Sequence, residues 1–170
     1  MGRFGAMWGV AGFALLLVYT ILRLGPIALE TFGHQLRWYH WLALLLNVSL
    51  MAYSEGYRGF QKSFSPRVVA RARYLQQHPR LLAVLFAPLY CMGYFQTTRR
   101  RQRATFGLTI GIIVLVVLIR SLDQPWRGII DAGVVVGLSW GLISLLFFSV
   151  QAVTAAEFDY SPEVPEEHVS

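Results

Sequence analysis

Charge is what this chain most lacks. Only 14% of its 170 residues are Asp, Glu, Lys or Arg, where a soluble domain usually carries about a quarter. Cysteine is nearly absent. Cys91 stands alone, which excludes an intrachain disulfide and a cysteine-rich metal cluster and leaves the redox compartment unreadable. HExxH, CxxC, a phosphate-binding glycine loop and GxSxG are all missing, so none of those chemistries has a motif here. The histidines are His34, His40, His78 and His168. They do not supply a pair on facing helices, and neither haem nor any other cofactor or metal is expected.

What is present is apolar. The chain is 55% hydrophobic, its mean hydropathy is +0.49, and the apolar residues collect in long runs that a globular core does not require. The class these features point to is an all-α, polytopic integral membrane protein. The formal charge of +6 then reflects topology and anionic lipid rather than nucleic acid, which is not an expected partner. Arg3 before an apolar run resembles a signal peptide, but no small-residue cleavage pattern follows, so a retained first helix is expected.

Four runs approach the roughly 20 residues that a helix needs to cross about 30 Å of hydrocarbon. They give spans at about 5–24, 37–57, 104–122 and 128–153, the first ended by Arg23 and Gly25-Pro26. Trp38, Tyr39 and Trp41 at one end of the second, and Tyr53 and Tyr57 at the other, read as interfacial anchors. A fifth run, Leu81 to Phe95, is short and carries Pro88 near its centre. A basic connection precedes it (Arg58, Lys62, Arg67, Arg71, Arg73, Arg80) and another follows it (Arg99, Arg100, Arg101, Arg103). If the run spanned, these two connections would face opposite sides, against the positive-inside tendency. A re-entrant segment over 81–97 puts both, with Arg3, on the cytoplasmic side. A fifth spanning helix is the alternative. The expected organisation is therefore one transmembrane domain over 1–155 with both termini cytoplasmic, in a bacterial inner membrane. A short interfacial helix over 66–77 starts at Ser65-Pro66, and an acidic, disordered tail occupies 156–170.

On the second helix His40, Asn47, Ser54 and Arg58 fall within roughly 20° of one line at 100° per residue. With Glu55 and Tyr57 they form the candidate functional cluster, because polar residues at membrane depth face a bundle interior or a wet cavity. Glu55 and Arg58, at i and i+3, are candidates for an ion pair at the inner boundary of that helix. Arg67, Arg71, Arg99, Arg100 and Arg101 are candidates for lipid head-group contact. Gly133, Gly137 and Gly141 place small residues every fourth position on the last helix, a packing face; GAMWG and GLTIG repeat the pattern more weakly. No catalytic residue is assigned. The leading functional expectation is a non-catalytic accessory or scaffold subunit of a membrane complex. A small transporter or channel subunit, or a lipid-active membrane enzyme using Glu55, are the alternatives. Its expected neighbours are the bilayer, anionic lipid, and either a protein partner or further copies of the chain.

Overall fold

A computed structural model describes residues 1–154 and 160–161, except the side chain of Arg101, and every element among them is helical. In chain order these are α1 (Gly2–Glu30), a 3-10 turn (Thr31–Gly33), α2 (Trp38–Met51), a π-helical segment (Ala52–Phe64) and α3 (Ser65–Gln77). Two short helices follow, α4 (Leu81–Leu85) and α5 (Ala87–Met92), and then α6 (Arg99–Arg120) and α7 (Trp126–Thr154). Three stretches are long and apolar enough to cross a membrane: Gly2–Gly33, Gln102–Arg120 and Trp126–Thr154. The protein is an all-helical chain with transmembrane character. The acidic-tail expectation lies outside the described residues except at Tyr160 and Ser161, and the Tyr160 ring rests on Phe148 at 5.6 Å.

The first correction concerns where α1 ends. Gly25-Pro26 does not stop it, and the helix continues to Glu30 with Pro26 inside. Proline removes one backbone donor and crowds the preceding turn. Continuing nevertheless brings the Ile27 carbonyl and the Thr31 hydroxyl to Gln124, which bonds both. Tertiary bonding here overrides a local breaker.

The second correction concerns α3. Ser65 neither caps a new helix nor lies on a surface: it is fully buried and its side chain makes no capping bond. The chain stays helical from Trp38 through Gln77. Pro66 is accommodated because the π register immediately upstream widens the turn its ring would strike. α3 therefore packs lengthwise on the first half of α1 instead of lying flat at an interface. Phe13 meets Phe64 at 5.1 Å, and side chains added at Gly5 and Gly2 would strike Leu75 and Gln76.

The Leu81–Phe95 run folds as α4 and α5, broken at Phe86. Glycines of α1 record its path. Val84 lies at Gly5, Ala87 and Cys91 lie at Gly9, and Pro88 lies at Gly12. The run therefore descends to the level of Gly12 and comes back, while α1 runs on to Glu30. Leu81, Leu82, Leu85, Phe86 and Leu89 on its outer side are exposed, an apolar patch suited to lipid. Its inner side joins the one apolar core, in which Phe13, Leu17, Val68, Leu75, Ala87, Tyr90, Leu145 and Phe148 pack together.

Candidate functional site

At one end of the molecule aromatic rings gather. Phe32 and Trp41 lie 5.9 Å apart, and Tyr39 and Trp126 stack at 6.4 Å. A belt of this kind marks a membrane–water boundary. His40 sits inside it, 7% exposed, its ring edge-on to Trp126 at 5.1 Å. Its Nδ1 accepts the Arg37 backbone N–H at 3.1 Å, which satisfies one of the donors left over at a helix start. His40 is thereby the fastener of the α2 N-terminus.

Below the belt α2 and α7 run side by side. Asn47 donates from Nδ2 to the Ile129 carbonyl at 2.8 Å and covers Gly133, where an added methyl would collide with the amide. Further along, the Glu55 side chain covers Gly137, 3.4 Å from the place a Cβ would take, and the Phe60 ring fills Gly141. Trp140 reciprocates by covering Gly56, with its Nε1–H donated to Gln61 Oε1 at 2.8 Å. The glycines of α7 thus receive Asn47, Glu55 and Phe60 in turn, the close approach that small residues permit in lipid, where van der Waals packing drives helix association.

The projected polar line breaks at Met51. The π register begins at Ala52, so the step of 100° per residue no longer holds. Ser54 turns outward and bonds its own helix at the Leu50 carbonyl, 2.7 Å away. Arg58 is exposed, and among the described residues it makes no ion pair with Glu55. Tyr57 stacks on Tyr53 at 6.1 Å and carries Lys62 over its face at 4.6 Å. Glu55, rather than Ser54, is the polar side chain at the seam with α7.

Glu55 meets α7 at Gly137, which follows Trp126 by 11 residues, about 16 Å along the axis; along its own helix Glu55 follows Trp38 by 17 residues, about 25 Å. No described cation pairs with it.

Of the arginines expected to touch lipid, Arg99 and Arg100 are exposed, Arg67 is half-buried, and the Arg101 side chain lies outside the described set. Arg71 points the other way. It is 3% exposed, donates from Nε to the Tyr90 carbonyl at 2.7 Å, and from one Nη to the Phe95 and Gln96 carbonyls at 2.9 and 3.1 Å. Its guanidinium also lies 4.4 Å from the centre of the Tyr90 ring. The returning hairpin frees carbonyls where α5 ends, and a planar fork of donors suits them.

The chain matches no protein-family model, no curated protein and no solved structure.

Function is therefore carried by geometry alone. Cys91 is buried against Gly9 and closed off from solvent. Among the described residues no three His, Cys, Asp or Glu side chains come together to hold a metal. Two further polar features lie near the start of α7. Gln124 ties the end of α1 to the start of α7. It donates to the Ile27 carbonyl at 3.3 Å and accepts from Thr31 Oγ1 and the Gly128 N–H, both at 3.2 Å. Asp131, 4% exposed, stands 3.8 Å from Arg127 one turn back on α7.

Proposed function

We propose that this protein is a non-catalytic accessory or scaffold subunit of a membrane complex, and that α6 is the helix by which it docks. The observation that carries this reading is a contrast between glycines. Those of α1 at Gly2, Gly5, Gly9 and Gly12 and those of α7 at Gly133, Gly137 and Gly141 are all covered by side chains or backbone of the same chain. Among the described residues Gly107 and Gly111 of α6 meet nothing within 4 Å, as does the isolated Gly25 of α1, and the apolar side chains from Leu108 to Leu118 around the α6 pair are exposed. Among the described residues the hairpin holds the opposite face of the first half of α6, and its last turn is held as well. Tyr94 packs edge-on to Phe106 at 5.5 Å and its hydroxyl bonds Thr109 at 2.7 Å, while Ile119 is buried at the far end. A small-xxx-small face left open on a membrane helix is suited to another helix.

In this reading α1, the α2 helix, α6 and α7 all cross the bilayer, and the α4–α5 hairpin enters and leaves on the arginine-rich, cytoplasmic side together with both termini. A transport reading draws on Glu55 at the seam with α7. It gains no continuous polar path, because His40 and Asn47 are committed to structural bonds and Ser54 and Arg58 face outward. The lipid-enzyme reading loses Arg71 to the hairpin.

The test is the mass of the assembly in mild detergent and in nanodiscs. The wild type should run as a complex larger than its 19.2 kDa protomer. Gly107→Ile with Gly111→Ile should reduce it to the protomer while leaving its melting temperature unchanged. A wild type that is already a lone protomer in both settings refutes the reading.

A further inference from the structure

We propose that the first neighbour docked on α6 is a second copy of this chain. The contact is head-to-tail: the Glu55 edge of one copy receives the Gly107–Gly111 face of α6 from the next, and Arg103 of that α6 pairs with Glu55. The inference rests on the reading of α6 as the docking helix and adds the identity and geometry of its partner.

Three observations point to this pairing. First, Glu55 is an exposed carboxylate on the surface of an apolar helix bundle, without a cation among the described residues, and a carboxylate facing lipid calls for a partner. Second, Arg103, Gly107 and Gly111 stand at i, i+4 and i+8, which places them on one face of α6. Arg103 and both glycine backbones are exposed there. Third, the levels agree. α6 ends at Arg120 beside the aromatic belt, since the loop after it delivers Gln124 to Ile27 and Thr31. Counting back along the axis, Gly111 lies about 14 Å and Gly107 about 20 Å from that end. Arg103 lies about 26 Å from that end. Glu55 lies about 16 Å from the belt counted along α7 and about 25 Å counted along its own helix, so the glycines and Arg103 all fall within its reach.

Charge decides between possible arrangements of two copies. Copies inserted in the same direction and packed α6 on α6 would bring Arg99, Arg100 and Arg103 against the same residues, and like charges facing each other are unfavourable. Packing the two Glu55 edges together fails for the same reason. Joining unlike surfaces avoids both penalties, and repeated around an axis it closes a ring. Each copy then covers the carboxylate of the next and buries the open face of its own α6.

The experiment uses the full-length chain in membranes. In a Cys91→Ala background, one tagged form carries Ser54→Cys beside Glu55, and a differently tagged form carries Ile110→Cys at the edge of the glycine face. Oxidation should join position 54 of one tag to position 110 of the other, with position 110 joining itself only weakly. Glu55→Gln or Arg103→Gln should each lower that yield at least about five-fold, and Glu55→Arg together with Arg103→Glu should restore it. Preferential 110-to-110 joining overturns the proposal. So does the absence of any joining between copies when the α6 glycine substitutions still dissolve a larger complex; that result leaves the accessory reading intact with a different partner. A lone protomer with no joining removes both.

Discussion

Replacing Arg71 by Ala should open the α4–α5 hairpin, and the size of the effect follows from the bonds it removes. Three carbonyls accept from the Arg71 guanidinium. That of Tyr90 keeps a second donor, the Gly93 backbone N–H at 3.0 Å, so it is not orphaned. Those of Phe95 and Gln96 have no backbone donor among the described residues and lose their partner. At about 1–2 kcal/mol for each of these part-buried groups left unsatisfied, plus about 1–2 kcal/mol for the lost contact with the Tyr90 ring, the cost is about 3–6 kcal/mol. In a chain of this length that corresponds to a fall of roughly 10 °C or more in melting temperature. Arg71→Lys keeps the charge but cannot fork between carbonyls, and should fall between the two. Cys91 supplies a local readout. It is buried in the last turn of α5 and shielded from reagents while the hairpin is closed. A maleimide should label it slowly in the wild type, faster in Arg71→Lys and fastest in Arg71→Ala. Equal labelling and equal melting in all three would refute the assignment of Arg71 as the hairpin's clasp.

Other substitutions separate the remaining parts of the packing. Gly141→Ala drives a methyl to 2.6 Å from the Phe60 ring and should cost about 1–3 kcal/mol by overpacking, whereas Gly137→Ala, 3.4 Å from the Glu55 Cβ, should be tolerated and Gly137→Leu should not; thermal unfolding in detergent ranks the three. Asn47→Leu removes the bond to the Ile129 carbonyl and should lower stability by only about 1 kcal/mol, since the bond between helices is modest in lipid. Gln124→Leu breaks the two bonds to the end of α1 and the one from the Gly128 N–H of α7, and should raise hydrogen exchange at Gly128 and Thr31 before it alters overall melting.

Much of this architecture is legible in apolar run length and charge. The short Leu81–Phe95 run, with basic residues on both sides, reads as a segment that returns, and α4 and α5 turn back at the level of Gly12. The glycine spacing of α7 reads as a packing face because its meaning depends only on helical periodicity, and side chains of the second helix do fill it. Projection along the second helix fails where its assumption fails. Once the π register begins at Ala52, the line through His40 and Asn47 no longer predicts the positions of Ser54 and Arg58. Arg71 is invisible for a different reason. Its place is set by carbonyls near Tyr90 and Phe95, distant in sequence, and nothing local distinguishes it from the exposed Arg99 or Arg100. Gln124 and the prolonged α1 belong to the same class, local signals overridden by partners elsewhere in the chain.

In the proposed topology the chain leaves and re-enters the same side between α3 and α6, which places the arginines from Arg58 to Arg80 with those from Arg99 to Arg103. Single cysteines at His78, Thr98 and Asp123, each exposed, test it in a Cys91→Ala background in sealed membranes of known orientation. An impermeant maleimide applied from one side should label positions 78 and 98 alike, and position 123 only from the other. Labelling of 78 and 98 from opposite sides would show that Leu81–Phe95 crosses the bilayer, and would contradict the account.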